Sequence, residues 1–282
     1  STKTFINTYL NTDGTPFTAQ ADYNKIPFSE EVKNRDLRLK QSIRMKGYTR
    51  DGAVAPPDFT YTYTGYMPIK LTLDSKATDG VAENFNSLPI IRYAEVLLNY
   101  AEAKAERGSF QPADWDKTIA LLRKRAGITV TYMPVAADPY LHDHYFTDIN
   151  DPILLEIRRE RGIELALEGF RYDDLKRWHE GQLLTMPYDG MYVPALNTPM
   201  DLNEDGKMDV SFVESIPATK VPGVYYFLVD KVQFKLSNGS SGNLQLFDNL
   251  ERKYEDYKYF YPIPYNEIIL NGSLTQNPEW TN

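Results

Sequence analysis

Cysteine is absent from the 282 residues, which removes disulfides, thiolate zinc and iron–sulfur sites and thiol nucleophiles together. Histidine is scarce, with only His142, His144 and His179. Long apolar runs are also missing, since a stretch such as Val224 to Val229 falls far short of the roughly 20 residues needed to cross a bilayer. Positive charge is in deficit, 31 Lys+Arg against 39 Asp+Glu. Without a basic stripe to displace counterions from phosphates, DNA and RNA are excluded as expected partners. No Gly-x-Ser-x-Gly elbow, Gly-x-Gly-x-x-Gly turn or Gly-Lys-Ser/Thr phosphate cradle occurs. The opening Ser1 to Phe5 lacks the basic and apolar regions of a signal peptide, so the chain reads as a mature or trimmed product. What is abundant is 21 Tyr and 13 Phe together with 18 Pro and 16 Gly. That combination describes one loop-rich unit with many aromatic faces to place. Its length suffices for a core without covalent staples.

Along the chain, residues 1–88 carry turn chemistry throughout, at Asp13-Gly14, Asp51-Gly52, Pro56-Pro57 and Asp79-Gly80, with short β-prone pieces such as Phe59 to Tyr66. From Ile90 to about Arg107, Ala, Leu and Val fill nearly every face and Gly108 follows as a C-cap, which predicts a mostly buried helix. Asp114 is placed as the N-cap of a second helix, where Trp115, Ile119, Leu122 and Ala126 recur until Gly127. A third helix runs from Asp151-Pro152 to about Gly169, and a continuation from Tyr172 to Trp178 is closed by Gly181. Residues 182–222 read as loop. Residues 224–236 end in alternation, Val232, Phe234 and Leu236 against Lys231, Gln233 and Lys235, which predicts a half-buried strand. Tyr254 to Pro264 is aromatic and extended. No internal repeat marks a solenoid.

Four patterns bear on chemistry. Glu156, Glu160, Glu164 and Glu168 share one helix face at successive i+4 positions, interleaved with Arg158, Arg159, Arg161 and Arg171. They predict a guanidinium–carboxylate lattice, because a bundle metal site wants Glu-x-x-His pairs and none is present. Asp201, Asn203, Asp205, Gly206, Lys207 and Asp209 match a calcium-loop spacing, with side-chain oxygens at positions 1, 3, 5 and 9 and the Lys207 carbonyl at 7. Phe212 stands where the bidentate Glu of an EF-hand would be. The loop is therefore either a structural Ca²⁺ site of another kind or a turn bonded to its own backbone. His142 and His144 would share one face of a strand and could bind zinc, but no third ligand is near, which favours an exposed loop pair. Finally, Phe59, Tyr61, Tyr63 and Tyr66, and Tyr140, Tyr145 and Phe146, place aromatic rings beside polar groups. Such rings suit the C–H faces of sugars, or equally the buried face of a strand.

Taken in order, the motifs resemble the SusD/RagB family of Bacteroidota. Arg92 to Ala103, beginning Arg-Tyr-Ala-Glu-Val-Leu-Leu, and Ile119 to Gly127, ending Arg-Lys-Arg-Ala-Gly, are similar to that family's helical hairpin. Glu160 to Trp178, reading Glu-Arg-Gly-Ile-Glu-Leu-Ala-Leu-Glu-Gly-Phe-Arg-Tyr-Asp-Asp-Leu-Lys-Arg-Trp, resembles its next signature. Tyr261-Pro-Ile-Pro264, Glu267 and Gln276-Asn-Pro278 resemble its C-terminal one, and Asn34 to Arg38 its early Asn-Arg-Asp-Pro-Arg, with Leu37 in place of Pro. The resemblance implies a mainly α fold with extensive loops and a few short β-strands, helical hairpins of tetratricopeptide type packing against a loop-rich portion. Members of the family are longer, so residues 1–282 correspond to a single C-terminal domain with the N-terminal helical-repeat half absent.

The implied function is non-catalytic: a lipoprotein on the outer face of the outer membrane captures an oligosaccharide and delivers it to a SusC-like TonB-dependent transporter. Its membrane contact is a lipid anchor preceding Ser1. A RagB-type peptide-capturing protein is the alternative, and a glycosidase using two of the many carboxylates a further one. Because ligand-binding aromatics in this family tend to lie in variable loops, the expected ligand residues are Tyr61, Tyr63 and Tyr66 with Phe59. Tyr140, His142, Tyr145 and Tyr188 form a second set. No cofactor is required beyond a possible Ca²⁺.

Overall fold

Turn chemistry in the first part of the chain produces one- and two-turn helices, α1 (Lys3–Ile6), α2 (Phe28–Glu31) and α3 (Leu37–Ser42), followed by strands β1 (Thr49–Arg50) and β2 (Ala53–Val54). The computed structural model describes residues 1–80, 82–230 and 232–280. Asp51 and Gly52 both adopt positive φ, 49° and 75°, as a two-residue hairpin requires. The hairpin therefore sets Thr49 opposite Val54 and Arg50 opposite Ala53. No strand forms over Phe59 to Tyr66, where the chain turns instead.

The helical part comprises α4 (Tyr93–Glu106), α5 (Pro112–Asp116), α6 (Ile119–Arg125), α7 (Pro139–His144), α8 (Pro152–Glu164) and α9 (Arg171–Arg177). Local signals explain its boundaries. Pro152 occupies the first turn of α8 and the Asp151 carboxylate accepts from the Ile153 amide at 2.8 Å, satisfying an amide that the helix cannot. Gly127 ends α6 at φ 76°, and a Cβ there would lie 2.6 Å from Leu37 Cδ1. The single helix expected after Asp114 is two, because Thr118 leaves helical geometry at φ −125°, ψ −91°. Asp114 is not the cap but the third residue of a capping box with Gln111. Helix α4 is less buried than predicted: Ala94, Leu98 and Ala101 face the core while Tyr93, Val96 and Tyr100 face outward. Helix α8 stops at Glu164, short of Gly169.

Strands occur where loop was expected. β3 (Tyr188–Val193) and β4 (Val210–Val213) lie within 182–222, followed by β5 (Tyr225–Leu228), β6 (Phe234–Leu236) and β7 (Gly242–Leu246). β7 is the centre of an antiparallel sheet ordered β3-β7-β6, whereas β5 runs parallel to β4 with Phe212 opposite Phe227. The strand predicted over 224–236 is thus split between two sheets. The Asp230 carboxylate accepts from the amides of Val232, Gln233 and Phe234, which reverses the chain between them; Lys231 lies outside the described residues. The stretch Tyr254 to Pro264 is not extended throughout, since Asp256–Tyr259 form a 3-10 turn, and α10 (Tyr265–Leu270) follows it.

Three apolar cores result among the described residues. Leu98, Ala101, Trp115, Ile119, Leu122 and Ile157 join α4, α5, α6 and α8. Phe146, Leu155, Leu175 and Trp178 join α8 to α9, and the largest, including Phe28, Tyr66, Phe212, Phe227 and Leu244, lies under the strands. The resulting fold is mainly helical with a few short strands, as expected. Among the described residues no helix is long and apolar enough to cross a membrane.

The carboxylate ladder of α8 is the lattice that its spacing predicts. Glu160 accepts from Arg38 at 2.5 Å and from Arg123 at 3.0 Å. Glu164 accepts from Arg38 at 2.9 Å and from Arg92 and Arg125 at 2.5 Å, while Glu168 pairs with Arg92 at 2.7 Å and Lys70 at 2.5 Å. Most of the cations come from other elements; the helix's own Arg159 reaches Glu156 at 3.3 Å as well as Asp138, Arg161 pairs with Asp174, and among the described residues Arg171 lies over the Trp178 ring and not on a carboxylate. Cross-element pairing makes the ladder a tie between α3, α6 and α8.

Candidate functional site

Between the β1–β2 hairpin and the start of β5 lies a cleft of about 760 Å³, lined by Arg44, Arg50, Asp58, Tyr61, Lys76 and Tyr225 among others. That volume is within the range of small-ligand sites. The hairpin carries Arg50 to one rim, where it pairs with Asp79. Parallel pairing of β5 with β4 carries Tyr225 to the other. Tyr61 is 78% exposed and Tyr225 39% exposed, so both rings offer faces to a ligand. Behind them Phe59 is buried, stacked on Tyr225 with centroids 6.4 Å apart and edge-on to Phe212 at 5.4 Å. Arg44, whose amide donates to the Met67 carbonyl at 2.9 Å, is 6% exposed as a residue and brings its guanidinium to the cleft. The cleft thus sets two aromatic faces beside hydrogen-bond donors of Arg44, Arg50 and Lys76 and the carboxylate of Asp58. This combination can stack on an apolar ring face while bonding the polar groups around its edge.

The ligand residues expected from sequence are divided, with Phe59 and Tyr61 at this cleft and Tyr145 and Tyr188 at another groove. Of the first set only Tyr61 opens into the cleft with a free face, and Tyr63 is exposed elsewhere, tilted against Phe234 at 5.3 Å. Phe59 and Tyr66 are buried in the core, Phe59 at the floor of the cleft. Tyr66 is fully buried, its hydroxyl donating to Glu31 at 2.7 Å, and Glu31 also accepts from Lys3 at 2.6 Å. Burial, reinforced by that carboxylate, drives the Tyr66 phenol well above its usual range. Tyr140 and Tyr145 are likewise buried. Tyr140 hydroxyl donates to the Thr4 carbonyl at 3.2 Å and its ring stacks on His144, while Tyr145 borders the groove that also holds Tyr188. His142 and His144 sit on α7, not on a loop or strand: His142 contacts Asp143 at 2.7 Å and His144 stacks on Tyr140 at 4.6 Å. Tyr188 is partly exposed at the start of β3 with Arg252 over its ring at 4.5 Å, lining a separate groove with Phe5, Arg171 and Met186.

In the loop 201–209 the side chains meet backbone amides. Asp201 accepts from the amides of Asn203 at 3.2 Å and Gly206 at 2.8 Å, Asn203 from Asp205 at 3.2 Å, Asp205 from Lys207 at 2.9 Å, and Asp209 from Leu202 at 2.8 Å. The side chains close the turn on its own backbone. Among the described residues no group of three or more His, Asp or Glu is disposed to hold a metal ion. Burial, with Asp201 and Asp205 adding repulsion and the Leu202 amide partly opposing it, pushes Asp209 up to about 6.

A polar cavity of about 540 Å³ between α4 and α8 is less suited to a ligand. Its Glu102 is taken by Arg177 and the Trp178 indole N–H, and its Arg161 by Asp174 and Asn99. In the larger cleft, Arg44, Arg50, Lys76 and Tyr225 escaped sequence reasoning. The Asp51-Gly52 turn could have pointed to Arg50. Nothing local marks Tyr225, which reaches the site through strand pairing.

A family model described as the SusD family matches residues 1–280. Among solved structures, a SusD-like carbohydrate binding protein from Bacteroides fragilis is 24% identical with a TM-score of 0.62, the match covering 97% of this chain and 48% of that one. A SusD-like protein from the same organism is 20% identical with a TM-score of 0.61, covering 99% and 46% respectively. At such identities the likeness establishes the fold. This chain spans about half the length of both structures. No curated protein matches it.

Proposed function

This chain belongs to the SusD family, and from that premise we propose that it captures oligosaccharide without cleaving it and delivers it to a SusC-like TonB-dependent transporter. The proposed place is the outer face of the outer membrane, reached through a lipid anchor outside these residues. The observation that carries the reading is the cleft in which Tyr61 and Tyr225 expose ring faces beside Arg44, Arg50 and Asp58. Sugar recognition calls for this pairing of apolar faces with fixed donors and acceptors. Non-catalytic capture is supported by how its carboxylates are committed: Asp79 pairs with Arg50, Asp58 accepts from Thr60, and Asp209 accepts from Leu202.

A glycan array probed with the protein, followed by calorimetry with Tyr61→Ala, tests this function. The expected result is intact glycan bound at micromolar affinity or weaker, with the variant about tenfold poorer, or about 1.4 kcal/mol, at unchanged melting temperature. Release of reducing ends that disappears on substituting one Asp or Glu would replace capture with hydrolysis. Binding of peptides but no glycan would make the ligand a peptide.

A further inference from the structure

We propose that the cleft is built for an acidic glycan, with the Arg44 guanidinium receiving a sugar carboxylate while Tyr61 and Tyr225 hold the rings. This rests on the capture function above and names its substrate class.

Among the described residues, Arg44 is distinguished from the other buried arginines by how little it bonds. Arg38, Arg123, Arg158, Arg159 and Arg161 each pair with at least one carboxylate. Arg35 donates to the carbonyls of Glu31, Ile6 and Tyr9 at 2.8 to 2.9 Å. Arg44 is as buried as Arg38, both 6% exposed, yet its side chain makes one hydrogen bond, to the Pro56 carbonyl at 3.3 Å. Its Nε is buried without a partner, and the Tyr48 ring lies 5.3 Å away. A guanidinium cannot shed its proton, and burying its charge without an anion is costly. An incoming carboxylate meets the unused fork of donors in the two-point geometry that it prefers.

Asp58, Asp79 and Asp209 also line the cleft, but among the described residues none of them forms an ion pair with Arg44. Arg50 and Asp79 neutralise each other, while the Asp58 carboxylate turns to the Thr60 amide at 2.9 Å and hydroxyl at 2.6 Å. Asp209 is bound to the Leu202 amide at 2.8 Å and carries its charge against burial. Lys76, exposed at the rim, adds a second positive group.

The test is calorimetry of the protein with an oligogalacturonate and with the same oligomer after carboxyl reduction, beside a sulfated neutral oligosaccharide. The expected result is that carboxyl reduction weakens binding by about tenfold or more, that the sulfated sugar does not substitute, and that Arg44→Met removes the preference. Tyr61→Ala should weaken both forms alike. Arg44→Lys keeps the charge but not the fork, and should retain part of the preference. Equal binding of the acidic and reduced oligomers by the unmodified protein, or a preference for sulfate over carboxylate, would overturn the assignment while leaving glycan capture standing. Failure to bind any glycan would overturn both.

Discussion

Arg38 and Arg44 border the same short helix, are equally buried, and live in opposite electrostatic surroundings. Arg38 meets Asp36 at 2.6 Å, Glu160 at 2.5 Å and Glu164 at 2.9 Å. Arg44 meets one carbonyl at 3.3 Å. In the helical region Arg38, Arg123, Arg158, Arg159 and Arg161 each find a carboxylate within the fold, and Arg38 and Arg123 thereby tie α3 and α6 to α8. The loop region leaves one charge unresolved at the wall of a cleft, where an outside anion can resolve it. Burial of an arginine is therefore uninformative until its partners are named.

The contrast can be broken most directly at the lattice centre. Glu160→Ala leaves Arg38 and Arg123 with a buried carboxylate missing between them, and should cost about 3–5 kcal/mol in chemical denaturation. A loss under about 1 kcal/mol would mean that the lattice does not hold the helices together.

Acid titration probes the same region more gently. Burial would raise Glu164, but hydrogen bonds and charge from Arg125, Arg38 and Arg92 outweigh it and bring the carboxyl down to about 2. A depressed carboxylate contributes stability above its ordinary value of 4.5, lost as pH falls through about 2. The contribution is on the order of 3 kcal/mol. Glu164→Gln should flatten the pH dependence of unfolding across that window.

The smallest effect is expected in the loop region and has the opposite sign. Asp209, raised from 3.8 to about 6, favours the fold below its ordinary value and loses that contribution as pH rises through about 6. Above pH 7 the ionised carboxylate therefore weighs against the fold. Asp209→Asn should then stabilise the protein, by about 1 kcal/mol after allowance for its partial exposure. Thermal melts at pH 8, with and without added calcium, check this; a lower melting temperature for the variant, or a fall on chelation, would restore the cation to the loop.

Much of the helical region could be read in advance. Asp151-Pro152, Gly127 and the i+4 ladder act within one or two turns, so residue spacing carries the signal. The aromatic candidates could not be sorted the same way. Tyr61 and Tyr66 belong to one short stretch, yet Tyr61 faces the cleft and Tyr66 points to Glu31. The alternation at 224–236 likewise concealed a reversal at Asp230, because half-buried residues in two strands look like one strand's face.

Residue pattern alone settled the family signatures, the helix starts and stops, the four lattice carboxylates, and the exclusion of disulfides and thiol chemistry for want of cysteine. Folding settled where the cleft lies, which tyrosines open to it, and that Arg44 finds no acid while Arg38 finds three. The physical reason is range. Caps and helical periodicity arise between near neighbours, whereas burial and charge pairing depend on residues that meet only when distant segments pack, as Arg38 meets Glu160 and Phe59 meets Tyr225.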